Sequence, residues 1–144
     1  MPPILRTPLR RIPVDKGDVL HAVRASAPGF AGFGEAYFTT VHQGAVKGWK
    51  RHTRMTMNLV VPAGRVRFVV HDDALGAAPA FQSFDLSPER DEDYARLTVP
   101  PGYWVSFGGM GPGLNLILNL ASLEHDPAEA ENVPLDAIAW NWAT

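Results

Sequence analysis

The stretch Gly34-Glu35-Ala36-Tyr37-Phe38-Thr39-Thr40-Val41-His42-Gln43-Gly44-Ala45-Val46-Lys47-Gly48-Trp49-Lys50-Arg51-His52-Thr53-Arg54-Met55-Thr56-Met57-Asn58 sets strand-forming residues beside a dense run of cations, and the rest of the chain reads as a container for it. Aromatic and β-branched residues before His42, and the apolar run that begins at Met57, have the composition of half-buried strands. Between them stand Lys47, Trp49, Lys50, Arg51, His52 and Arg54, in a chain whose formal net charge is only -2. Solvated runs of Lys and Arg lack interleaved aromatics, so the pattern points to a pocket for an anion with a ring attached.

Working outward, 13 Gly and 13 Pro punctuate short runs rich in Val, Phe, Tyr, Thr and Leu. Evenly scattered breakers of this kind mark an all-β sandwich or barrel. The runs predict strands over 19–24, 36–42, 57–61, 66–71, 81–86, 94–99, 103–107 and 114–121. Pro62-Ala63-Gly64 suits a tight hairpin with positive φ at the glycine, and Pro100-Pro101-Gly102 suits a turn whose first φ is preset. Only 126–132 reads as a helix, with Asp126 as N-cap and Pro127 in the first turn. Trp140-Asn141-Trp142 is apolar enough to be docked rather than frayed, and there is no internal repeat.

A chain of 144 residues fits one domain, 1–144, with 1–16 as a proline-broken N-terminal arm. Without cysteine there is no disulfide framework, thiolate nucleophile or zinc-thiolate site. No segment has the apolar core of a signal peptide or approaches the roughly 18 apolar residues of a membrane span, so the expected location is the cytoplasm. Mixed charges argue against a nucleic-acid partner, which needs a basic face. The apolar run Ala36-Tyr37-Phe38 and the terminal Trp140 and Trp142 are more than a small barrel easily hides, which predicts a homodimer.

Strand number and glycine placement resemble the double-stranded β-helix of the cupin jelly roll. The first cupin motif, G-x5-H-x-H-x4-E-x6-G, falls on Gly44, Lys50, His52, Met57 and Gly64, and the second is partly met by Pro100 and Gly102 with Val105 at its histidine place. Of four metal-ligand places only His52 keeps a ligand. One imidazole does not hold a catalytic divalent ion, so no metal and no other cofactor is expected.

Residues 34–142 are similar to the dTDP-4-dehydrorhamnose 3,5-epimerase family of metal-free cupins, and to its shorter members. The resemblance is carried by Gly34-Glu35 with Tyr37-Phe38, Lys47-Gly48-Trp49-Lys50-Arg51-His52 with Met55-Thr56 and Asn58, Asp72-Asp73, Val99-Pro100-Pro101-Gly102 and His125-Asp126-Pro127. It implies a nucleotide-sugar ligand and an epimerase or isomerase acting on an NDP-4-keto-6-deoxyhexose. That family uses a histidine in an Arg-Gly-Leu-His run, a lysine before the next strand, a late tyrosine and an aspartate that orients the histidine. Here Lys50 stands at the histidine place, Met57 at the lysine place and Asn119 at the tyrosine place, while Asp136 matches the orienting aspartate. The catalytic set is therefore altered. The alternative is a cupin without catalysis that binds a sugar nucleotide or another small anion as an accessory protein.

Epimerisation beside a ketone needs a base, a group that stabilises the enolate, and an acid on the other face. Lys50 and His52 share a strand face by alternation. Enclosed by apolar walls, Lys50 serves as base; left charged, it stabilises the enolate. The candidate catalytic residues are thus Lys50, His52 and Asp136. Lys47 and Arg54 suit a diphosphate, Trp49 and Tyr103 suit stacking on a base or sugar, and Asn58 and Asn119 complete the candidate binding set. For each the plainer role is a solvated edge or core packing, which also accounts for His21, His42, His71 and His125.

Overall fold

Residues 1–143 are described by the structure, a computed structural model, as strands joined by turns: β1 Leu5–Pro8, β2 Arg11–Ile12, β3 Val19–Leu20, β4 Glu35–Thr40, β5 Val46–His52, β6 Met57–Ala63, β7 Val66–His71, β8 Phe81–Leu86, β9 Ala95–Val99, β10 Trp104–Gly109, β11 Leu116–Ala121 and β12 Ala130–Asn132. They form two antiparallel sheets, ordered β1-β9-β6-β11-β4 and β12-β5-β10-β7-β8, with β2 and β3 as a separate pair. From β4 to β11 the chain passes repeatedly from one sheet to the other, and only β7 and β8 are consecutive neighbours in the same sheet. This is the cupin jelly roll.

Alternation explains which residues fill it. In β4 Glu35, Tyr37 and Thr39 are the less exposed set, and in β11 Ile117, Asn119 and Ala121 are buried. The inner faces meet in a core of Leu59, Val61, Val66, Phe68, Val70, Leu97, Val99, Val105 and Ile117. A second cluster lies outside the β5 sheet, where Trp49, Val69 and Trp104 are covered by Phe81, Val133, Ile138, Trp140 and Trp142. Trp140 and Trp142, one ground for expecting a dimer, thus pack within the chain; Phe38 on the edge strand β4 is 66% exposed.

Four expectations need correction. Strand β5 is absent from the predicted set, because its glycine and cations read as a polar interruption; pairing to β10 on one side and β12 on the other supplies its backbone partners. Gly64 does take positive φ (82°), but β6 and β7 lie in different sheets, so the turn is a crossover and not a hairpin. The helix over 126–132 is one 3-10 turn, Pro127–Glu129, capped by the Asp126 carboxylate on the Ala128 N–H, after which ladder bonds to β5 draw the chain into β12. The N-terminal arm includes β1, an edge strand registered on β9.

One irregularity positions the site. Lys47 pairs with Phe107 and Lys50 with Val105, so Gly48 and Trp49 together oppose Ser106 as a β-bulge. An uninterrupted strand would send Lys47 and Lys50 to opposite faces; the extra residue brings both to the cavity side with His52. Gly48 makes this possible, with φ 133° and with the Cα of Ser106 only 2.8 Å from where a Cβ would sit. Gly48→Val is expected to cost about 2 kcal/mol or more, from backbone strain plus the clash, read by urea unfolding. A variant as stable as the parent would mean that the bulge relaxes without penalty.

Candidate active site

Between the two sheets opens a cavity of about 330 Å³, walled by Leu59, Phe68, Val105, Phe107 and Ile117, with Lys47, Lys50, His52, Tyr37 and Asn119 as polar groups on its lining. A mostly apolar cleft with a few polar groups is the usual form of a small-molecule site. β5 supplies the cations and the imidazole from one sheet, while β4 and β11 supply the phenol and the amide from the other.

His52 is buried, and its Nδ1 lies 2.7 Å from Oε1 of Glu129, whose side chain is only 1% exposed. The other oxygen of Glu129 accepts the backbone N–H groups of Arg54 and Met55, each at 2.9 Å. Burial acts to raise the carboxyl pKa. The Arg54 N–H, the His52 ring and the Met55 N–H oppose it and bring the value down to about 2, so Glu129 is ionised at neutral pH. An ionised acceptor requires a proton on Nδ1, which leaves Nε2 of the neutral ring with its lone pair free. The ring is thereby set up as a base.

The carboxylate that orients His52 is Glu129 and not Asp136. Asp136 is exposed in the 3-10 turn Leu135–Ala137 and is absent from the cavity lining. Lys50 lines the cavity but is exposed at its mouth, so the enclosed setting that a lysine base requires is lacking. Its side chain makes no hydrogen bond or ion pair among the described residues, and is open to an anionic ligand. Lys47 also lines the cavity, its Nζ bonded to the Thr40 carbonyl at 2.8 Å.

Four expected ligand contacts are committed elsewhere. Trp49 is 1% exposed and borders the cavity, but it packs in the outer cluster with Nε1 on the Leu135 carbonyl, so no face is free to stack. Tyr103 is buried in the core with its hydroxyl on the Pro2 carbonyl. Asn58 lies in a buried network outside the cavity: its oxygen takes Arg96 Nε and Thr98 Oγ1, and its amide donates to the Gly29 carbonyl. Arg54 is exposed beside Asp126 at 3.5 Å, away from the lining. Trp49 and Asn58 serve the outer sides of their strands, Tyr103 is taken up by the core, and Arg54 lies in the turn between β5 and β6.

Glu129, bonded to His52, and Tyr37, on the cavity lining, stand outside the candidate set. Residue type and spacing do not single out Glu129, although Asp126-Pro127 marks the turn that carries it. Tyr37 enters the sequence pattern as a strand residue and among the residues that carry the resemblance.

A metal does not fit this donor set. The four cupin ligand places hold Lys50, His52, Met57 and Val105, and Nδ1 of the one imidazole is taken by Glu129. No group of three His, Cys, Asp or Glu able to hold an ion occurs among the described residues.

No protein-family model and no curated protein sequence matches the chain. Solved structures do. A dTDP sugar isomerase from Desulfovibrio desulfuricans G20 superposes with a TM-score of 0.86 at 34% identity, over 97% of this chain and 90% of that one. A dTDP-4-dehydrorhamnose 3,5-epimerase from Sulfolobus tokodaii gives 0.75 at 17% identity, over 95% and 80%. A 3,4-ketoisomerase from Thermoanaerobacterium thermosaccharolyticum, in complex with TDP-4-keto-6-deoxyglucose, gives 0.72 at 16% identity, over 89% and 86%. The last two are similar in fold alone.

Proposed function

The chain belongs to the dTDP-sugar isomerase family, as a divergent relative of the dTDP-4-dehydrorhamnose 3,5-epimerases, and from that premise we propose that it isomerises an NDP-4-keto-6-deoxyhexose by removing a proton beside the ketone. The observation that carries this is His52 on the lining of a mostly apolar cavity, with the Glu129 carboxylate 2.7 Å from its Nδ1. His52 Nε2 takes the α-proton, the Glu129 carboxylate stabilises the imidazolium that forms, and the imidazolium then returns a proton to the enolate at the adjoining position, which completes the isomerisation. Lys50 and Lys47, at the mouth, meet the diphosphate or the developing enolate charge. Asp136 has no part in this scheme.

The accessory-protein alternative shares the ligand but not the proton transfer. A binding module has no need of a buried, ionised carboxylate that fixes one imidazole tautomer, and this favours catalysis. The test is deuterium incorporation from solvent into dTDP-4-keto-6-deoxyglucose, which reports proton abstraction whatever the product. Exchange well above the uncatalysed rate is expected. Binding of the sugar nucleotide without exchange would leave the accessory role.

A further inference from the structure

One buried polar atom in the cavity wall has no partner. Asn119 is 3% exposed, and among the described residues its Oδ1 accepts no hydrogen bond. Its register partner on β6, Leu59, and Ile117, two residues along the same face of β11, carry no side-chain donor. A buried acceptor left without a donor loses its hydration for nothing in return, so such an atom in a binding cavity calls for a ligand that satisfies it.

Asn119 and Tyr37 face one another in register across β11 and β4, and Nδ2 donates to the Tyr37 oxygen at 2.9 Å. With a lone pair occupied by Asn119, the phenol directs its own proton away from the amide. The pair thus offers a ligand one acceptor, Asn119 Oδ1, next to one donor, the Tyr37 O–H. Its complement is a donor beside an acceptor on adjoining carbons.

Resting on the proposed function, we infer that Asn119 and Tyr37 are specificity-determining residues that read a hydroxyl adjacent to a carbonyl: the sugar hydroxyl donates to Asn119 Oδ1, and the ketone oxygen accepts from Tyr37. Facing sheets stand about 10 Å apart, room for one pyranose ring between them. A ring held by this pair on the β4–β11 wall presents its other side to His52 on β5. The ketone oxygen, hydrogen-bonded by a phenol, is then prepared to carry enolate charge.

Calorimetric titration tests this with dTDP, dTDP-4-keto-6-deoxyglucose and the analogue that lacks the hydroxyl next to the ketone. The parent should prefer the hydroxylated sugar by about 10–100-fold, the range set by one unsatisfied buried acceptor. Asn119→Leu should shrink that preference to within about threefold while binding dTDP like the parent. Tyr37→Phe, which removes only the phenol oxygen, should weaken both keto sugars about tenfold and leave dTDP unchanged. If Asn119→Leu does not fold, Tyr37→Phe decides alone, and parent-like affinity for the keto sugars overturns the inference. A parent that binds both sugars equally overturns it too and leaves the proposed function standing, because the ligand class would be right and the readout wrong. A parent that binds neither keto sugar nor dTDP removes the proposed function and this inference with it.

Discussion

His52→Gln is expected to abolish deuterium exchange into dTDP-4-keto-6-deoxyglucose, with a loss on the order of a thousandfold, and to leave affinity for dTDP within about threefold. Glutamine is of similar length and can donate its amide N–H to Glu129 where Nδ1–H does, so the buried carboxylate keeps a partner and the fold is preserved. It has no group basic enough to remove an α-proton near neutral pH. The cations at the mouth, Lys47 and Lys50, are untouched, which is why nucleotide binding should survive. Exchange at the parent rate would place the base elsewhere in the chain. Lys50→Met is the companion measurement. With Lys50 exposed at the mouth, it should weaken sugar-nucleotide binding and slow exchange without abolishing it, whereas complete loss of exchange would restore lysine as the base.

How much of this could be read beforehand divides along range in sequence. Turn chemistry is local: Gly64 takes its positive φ and Asp126 its capping bond even though the elements around them differ from expectation, and strands 66–71 and 81–86 have the observed bounds. The shared face of Lys50 and His52 is local as well, since alternation alone produces it. Phase across a bulge is different. Lys47 reaches that face only through the extra residue at Gly48, and no periodicity announces a bulge in advance. Trp49 and Asn58 pack away from the cavity for a related reason, because a strand residue's type does not reveal which side of the sheet it serves, while Tyr103, just before β10, is taken up by the core. Glu129 lies 77 positions from His52, and only the β12–β5 ladder brings them together. Asn119 illustrates the converse. Its place in the binding set followed from spacing, but the orphaned oxygen that gives the place chemical meaning appears only when every neighbour has been counted.

Glu129→Gln should silence exchange by about 10²–10⁴-fold with the histidine still present, because it inverts the tautomer. In the parent one Glu129 oxygen accepts two backbone N–H groups and the other accepts Nδ1–H. Glutamine must keep its single oxygen on the backbone donors, which turns its NH₂ toward Nδ1. The ring then protonates at Nε2, and the atom facing the substrate becomes a donor. Nitrogen NMR of His52 reads this directly: Nδ1–H in the parent, Nε2–H in the variant. Stability against acid gives an independent check. A carboxylate with its folded pKa near 2, below the ordinary 4.5, contributes stability that is fully present above the unfolded value and is lost as pH falls from about 4.5 toward 2. At about 1.4 kcal/mol per unit, the contribution at neutral pH is on the order of 3 kcal/mol. The parent should therefore lose stability steeply through that window, while the variant, which has no proton to bind there, starts lower and falls less. A variant that keeps the parent's acid slope would show that Glu129 does not titrate as its contacts require. One that keeps the parent's exchange rate would show that His52 does not depend on it for its tautomer.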